Sequence, residues 1–195
     1  MKLNKSTIWA FVLLLVTAAL YRSWEGRPFG FAPQLAMALF GGAVIRDKRF
    51  AVLLPLLSLL LSDALYEVLY INGLTTIEGY YEGQWLTYLL FVGITFFGML
   101  MKKINVKNVI GFSISGSIIF FLLSNFGVWA AGAGLQRPQT FNGLMLCYGD
   151  AIAFYRDNGF VANPLIGDLF FSSLLFGAYA LIRMYVIRPV TTTVA

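Results

Sequence analysis

Six apolar stretches, each bounded by charges or by Gly, Pro and Asn clusters, fill most of this 195-residue sequence, and no other feature restricts its fold as strongly. A helix that crosses the hydrocarbon of a bilayer needs about 20 mainly apolar residues at about 1.5 Å rise each. The stretches run from about Ser6 to Tyr21, Phe31 to Ile45, Phe50 to Tyr70, Gln84 to Met101, Val106 to Ala131 and Pro164 to Ile187. The second is short, so one of its ends is expected to be re-entrant or wrapped by neighbouring helices. Composition agrees with the pattern. Hydrophobic residues make up 59% of the chain and charged residues 12%, with mean hydropathy +0.77, whereas a soluble domain is about a quarter charged. The expected fold is all-α: a single transmembrane domain over residues 1–195 with six transmembrane helices.

The breaks between stretches alternate in charge, which sets the expected orientation, because Lys and Arg accumulate on the cytoplasmic side. One side gathers Lys2, Lys5, Arg46, Lys48, Arg49, Lys102, Lys103, Lys107, Arg183 and Arg188 with a single acid, Asp47. The other side holds Arg22, Arg27, Arg137 and Arg156 against the remaining eight acids. Both termini are therefore expected in the cytoplasm of a bacterial cell, with the domain in the inner membrane. A cleavable signal is the alternative for Lys2, Lys5 and the apolar run through Thr17-Ala18-Ala19. The continuation into Tyr21-Arg22-Ser23-Trp24 and the even span count favour a retained first helix. Trp24, Tyr70, Tyr80, Tyr81, Trp85 and Trp129 fall near the outer interface, where aromatic belts sit. In the long last outer loop, Phe141, Leu144, Met145, Tyr148, Ile152 and Tyr155 follow helical spacing, which predicts an amphipathic interfacial helix or lid.

Several chemistries are disfavoured. Histidine is absent and Cys147 is the single cysteine, so the commonest neutral-pH base and the usual zinc spacings are missing. No HExxH, GxSxG or phosphate-cradling loop is present. The chain is read as a non-enzyme with no cofactor and no metal, and topology explains its basic charge without nucleic acid.

Polar side chains within the apolar stretches are costly there and mark candidate sites. Asp63, Tyr66, Glu67 and Tyr70 stand at i, i+3, i+4 and i+7, one face of the third helix, and the first three are expected to form one wall of an outward-facing pocket, a helix that ends near Asp63 with these side chains in water being the alternative. Asn125 and Trp129 are candidates for a second wall, with structural pairing of Asn125 to another helix as the alternative. Tyr148, Arg156 and Asp168 are expected at the lid or rim, helix capping being the competing role for Asp168. Ala38 with Gly42, and Ser173 with Gly177, have the small-xxx-small spacing of close helix contact, either within the bundle or against a partner subunit. The hollow itself is expected under the last outer loop.

Five motifs carry a family resemblance: Phe31-Ala32-Pro33 with Ala36 to Ala43, Asp47-Lys48-Arg49, Leu59 to Asp63, Ser124 to Trp129, and Gly167 to Phe170. Over nearly the whole chain they resemble an uncharacterised family of small bacterial membrane proteins associated with transport. The topology also resembles the substrate-binding S components of energy-coupling-factor transporters, the cobalamin-binding group being nearest in size and layout. This resemblance implies an S-component-like bundle that captures a vitamin or related micronutrient outside the membrane and works with a T component and two cytoplasmic ATPases. Cys147 has the chemistry of a cobalt ligand but matches no position of that group; a small packed residue is the alternative. The competing functional class is an accessory subunit of a larger membrane complex, and a third is an intramembrane enzyme using Asp63 and Glu67.

Overall fold

The computed structural model describes residues 5–132 and 137–186. They form seven α-helices and, among the described residues, no strand: α1 (Lys5–Ser23), α2 (Gln34–Val44), α3 (Lys48–Ile71), α4 (Gln84–Met99), α5 (Val106–Ala130), α6 (Phe141–Asp157) and α7 (Asn163–Val186). The helix bounds fall within a few residues of the apolar stretches. Local chemistry sets several starts, where a side-chain oxygen takes a backbone N–H left unpaired by the first turn. Asp47 accepts from the Arg49 amide at 3.0 Å, Asn105 from Asn108 at 2.9 Å and Thr140 from Gly143 at 3.1 Å.

Three helices, α3, α5 and α7, are long and apolar enough to cross a membrane. The described apolar part of α1 (Val12–Ser23), α2 and α4 are shorter. At 11 residues α2 extends only about 16 Å, and it is short because Pro33 sets its start and the chain turns extended at Ile45. It is also the most enclosed helix, with Leu35, Ala36, Met37, Ala38 and Leu39 all buried and α3, α4, α5 and α7 packed around it.

Glycines make that enclosure possible. A methyl group at Gly42 would collide with the Thr95 carbonyl of α4, and one at Gly98 would sit 2.6 Å from the Leu39 carbonyl of α2. These two helices thus meet backbone to backbone. Ala38 and Gly42 are consequently spent inside the bundle, whereas Ser173 and Gly177 of α7 face outward, with nothing within 4 Å of a methyl at Gly177. Of the two small-residue pairs, the one on α7 is exposed. Pro55, buried inside α3, has no N–H to give the Ala51 carbonyl, and a methyl at Gly41 would lie 2.7 Å from that same oxygen. The apolar core joins Leu35, Ala38 and Leu39 to Leu59, Phe91 and Ile94.

The helix over 141–157 has a different packed face from the apolar stripe. Phe141, Met145 and Ile152 are exposed, while Gly143 and Cys147 are buried, because small residues admit close contact. Tyr148 donates to the Leu122 carbonyl of α5 at 3.1 Å, and Phe154 and Tyr155 lie 5.4 and 5.6 Å from the Phe29 ring. α6 therefore bridges α5 and the α1–α2 loop.

Candidate functional site

The C-terminal half of α3 presents Asp63 and Tyr66 inward, as their spacing requires, and both are buried. A buried carboxylate needs a cation and several donors. Arg22, in the last turn of α1, provides the cation, and its Nη1 donates to Asp63 Oδ1 and to Ser62 Oγ. Asp63 Oδ2 accepts from Gln84 Nε2 at 2.7 Å and from Tyr88 Oη at 2.6 Å, both on α4. One carboxylate thereby ties α1, α3 and α4 together at one end of the bundle.

The α1 C-terminus is finished by the same group of residues. The Arg22 carbonyl, one of those a helix end leaves unpaired, accepts from Tyr66 Oη at 2.6 Å and from Arg27 Nε at 2.7 Å. Arg27 Nη2 reaches Tyr66 Oη at 3.3 Å, and the Arg22 guanidinium carbon sits 5.5 Å from the Tyr66 ring centre, a cation–π distance. Glu67 faces the α3–α4 loop and accepts from the Gly79 and Tyr80 amides at 3.2 and 3.3 Å. A methyl at Gly79 would strike the α3 backbone, so this glycine lets the loop lie directly on the helix.

Above this polar floor open two adjoining hollows of about 540 and 450 Å³. Both are lined by Arg27, Phe29, Tyr66, Thr76 and Ile77. Trp24, Glu25, Leu74 and Asn158 extend one; Arg22, Asp63, Glu78 and Tyr81 extend the other. Trp24, Phe29, Leu74 and Ile77 expose their apolar surfaces here. Half-buried Arg27 forms no ion pair with a carboxylate among the described residues. The cleft can accordingly hold an anionic group at Arg27 and an apolar body against the aromatic and aliphatic rim.

The expected site residues divide. Asp63 and Tyr66 belong to the cleft, Asp63 as a fully partnered floor; Glu67 anchors the adjoining loop. Asn125 and Trp129 line neither hollow. Asn125 Nδ2 bonds back to the Phe121 carbonyl of its own helix at 2.8 Å rather than to another helix, and Trp129 Nε1 holds the Pro138 carbonyl at 2.9 Å. Tyr148 is occupied on α5, and Arg156 is exposed beside Asp157 at 3.2 Å. Asp168 caps no helix end; it is buried, with its Oδ2 2.6 Å from Ser117 Oγ. Both hollows lie between the α1–α2 and α3–α4 loops, with Asn158 the contribution of the α6–α7 loop. α6 is instead held on α5, where Cys147 and Tyr148 meet the Asn125 and Leu122 carbonyls.

Arg22, Arg27, Gln84 and Tyr88 are the residues sequence reasoning missed. A carboxylate in an apolar helix demands a cation, and Arg22 is the basic residue ending the adjacent apolar stretch; that signal was available. The α3–α4 loop residues at the rim carry no such signal. Away from the cleft, Arg137 clasps Asp150 through two bonds of 2.7 and 2.8 Å, which hold the Asp150 carboxyl below its ordinary range. Cys147 packs on α5 with its thiol pushed up by burial and by Asp150, and lines neither hollow. Among the described residues no group of three or more acidic or cysteine side chains is placed to hold a metal.

No curated protein and no solved structure matches the chain. One family profile does match, over residues 2–190, and the chain belongs to that family, DUF6580, a family of unknown function.

Proposed function

We propose that this protein is a six-span inner-membrane protein that captures a small amphipathic anion from the extracytoplasmic side for uptake. The cleft carries this reading: two hollows sharing Arg27, Phe29 and Tyr66, each within the volume range of small-molecule sites. Arg27 orients a carboxylate or phosphate of the ligand, while Phe29, Trp24 and Ile77 cover its apolar part. Asp63, already engaged by three partners, keeps the floor rigid.

The span count rests on the enclosure of α2. A helix too short to cross alone is tolerated at membrane depth when protein surrounds it, and α2 is surrounded. The alternating charges favour cleft loops outside and both termini inside. With no nucleotide-binding motif in the chain, uptake against a gradient draws on an energising partner, for which a T component with two ATPases is the proposed type. Vitamins and related micronutrients are the proposed ligand class. The resemblance to cobalamin-binding S components puts corrinoids in the panel, though Cys147 is away from the cleft.

The test is a thermal-shift panel of anionic micronutrients, together with corrinoids for their phosphodiester, on purified wild type and Arg27→Ala. A ligand that stabilises the wild type, and whose Kd rises about tenfold or more in Arg27→Ala, supports capture at the cleft; a tenfold loss is about 1.4 kcal/mol. Stabilisation by no panel member, or equal stabilisation of both proteins, refutes it. The outward Ser173 and Gly177 of α7 favour a second reading, an accessory subunit whose α7 docks a partner helix. Mild-detergent purification that recovers a stoichiometric partner other than an ATPase assembly would select that reading.

A further inference from the structure

A second buried acid stands apart from the cleft, where α5 and α7 pack together. Asp168 is only 7% exposed, and Arg22, Arg137 and Arg156 are the cations engaged in ion pairs among the described residues, none of them with Asp168. Its bonded neighbour is Ser117, whose Oγ lies 2.6 Å from Asp168 Oδ2 and 2.9 Å from the Ser113 carbonyl. Ser117 is midway along α5, roughly 16 Å from one helix end and 20 Å from the other at about 1.5 Å per residue.

Proton counting makes the arrangement informative. The Ser117 hydroxyl has one hydrogen and two acceptors within reach, so it cannot donate to both. If Asp168 carries a proton, both contacts are satisfied at once: the carboxyl donates to Ser117 Oγ, and Ser117 donates to the Ser113 carbonyl. The alternative, an ionised carboxylate with one shared donor and no cation, is strongly disfavoured in a low-dielectric interior. One turn further along each helix, Ser113 and Ser172 are fully buried, and their hydroxyls find no partner among the described residues. Their i, i+4 relation to Ser117 and Asp168 places all four side chains on the two mutually facing sides of the seam.

We propose that Asp168, Ser117, Ser113 and Ser172 form an intramembrane proton-binding site along the α5–α7 seam, with Asp168 neutral and donating to Ser117 at neutral pH. The proton comes from water and returns to water, and no bond between heavy atoms changes. The surroundings suit such a site. On α5 the one charged residue is Lys107, ten positions from Ser117; α7 has otherwise only Arg183, and α2 has no charged residue. From α6, Tyr155 faces Asp168, its phenol pushed above the ordinary range first by burial and then by Asp168, so it stays neutral.

Infrared difference spectroscopy on the full-length protein in nanodiscs, with carbon-13-labelled aspartate to assign the band, tests this directly. The expected spectrum at neutral pH has the carbonyl stretch of a protonated aspartic acid, sensitive to the aspartate label, shifted in Ser117→Ala and lost reversibly at alkaline pH. The band should be indifferent to exchange of choline for sodium. Asp168→Asn should lack it yet melt with the wild type, since an amide also donates to Ser117; Asp168→Glu should keep a titrating band at a displaced frequency. Absence of the labelled band from the wild type at neutral pH would overturn the proposal. So would its removal by sodium, which would make the site one for a metal cation.

Discussion

Cutting the Arg22–Asp63 tie one partner at a time measures whether the cleft floor is a buried, mutually dependent unit. The Asp63 side chain is 4% exposed and that of Arg22 21%, so Arg22→Met leaves a carboxylate with almost no access to water. Orphaning a buried charge costs about 3–5 kcal/mol. Gln84 and Tyr88 still donate to Oδ2, which sets the expectation at the lower end, about 3 kcal/mol. Asp63→Leu should cost a similar amount, since Arg22 regains some water while Tyr88 loses its acceptor. The double variant removes both charges together and should be no worse than either single one, a coupling of about 3 kcal/mol. The assay is reversible unfolding in mixed micelles followed by tryptophan fluorescence, with all four proteins measured at one detergent fraction. A surface ion pair contributes only about 0–1 kcal/mol. Single variants that each cost less than about 1 kcal/mol and add independently would show that Asp63 meets water, and the buried floor would be refuted.

Two further outcomes are expected. Gly42→Ala and Gly98→Ala, which drive a methyl into the facing α2–α4 backbone, should each lose about 1–3 kcal/mol or more in the same unfolding assay, whereas Gly177→Ala on the open face of α7 should stay within about 0.5 kcal/mol. The Arg137 bonds lower the Asp150 pKa, so their contribution is complete above the ordinary Asp value of about 3.9 and is lost as pH falls through the depressed folded value. Melting temperature against pH should therefore fall more steeply in acid for wild type than for Asp150→Asn, and parallel curves would contradict the pairing.

Much of this architecture is legible in the sequence because lipid-compatible helices need long apolar runs, and charges or Gly and Pro clusters must end them. The helices over 48–71, 84–99 and 106–130 follow from that alone, as does the inward stripe of Asp63 and Tyr66, whose spacing has one solution on a helix. What the sequence hides is partnership. Asn125 reads as a group in need of another helix, yet an Asn side chain can turn back to the carbonyl four residues earlier, and no pattern announces that choice. Asp168, near a helix start, reads as a cap; only the approach of Ser117 across the seam reveals a buried carboxyl. The cleft rim, Thr75 to Ile77 and Arg27, is loop, where position depends on how Glu67 and Gly79 seat the chain rather than on any periodicity. The amphipathic stripe of α6 misleads for a related reason. Gly143 and Cys147 are too small to register as a hydrophobic face, yet Gly143 admits the Pro138 carbonyl and Cys147 reaches the Asn125 carbonyl of α5.

Whether the cleft faces outward and takes a ligand is tested most directly at Thr76, which lines both hollows. In a Cys147→Ser background, Thr76→Cys should react with a membrane-impermeant maleimide applied to spheroplasts, and any ligand that stabilises the purified protein should slow that reaction. Labelling that requires lysis, or labelling at an unchanged rate with such a ligand bound, would contradict capture from outside at this site.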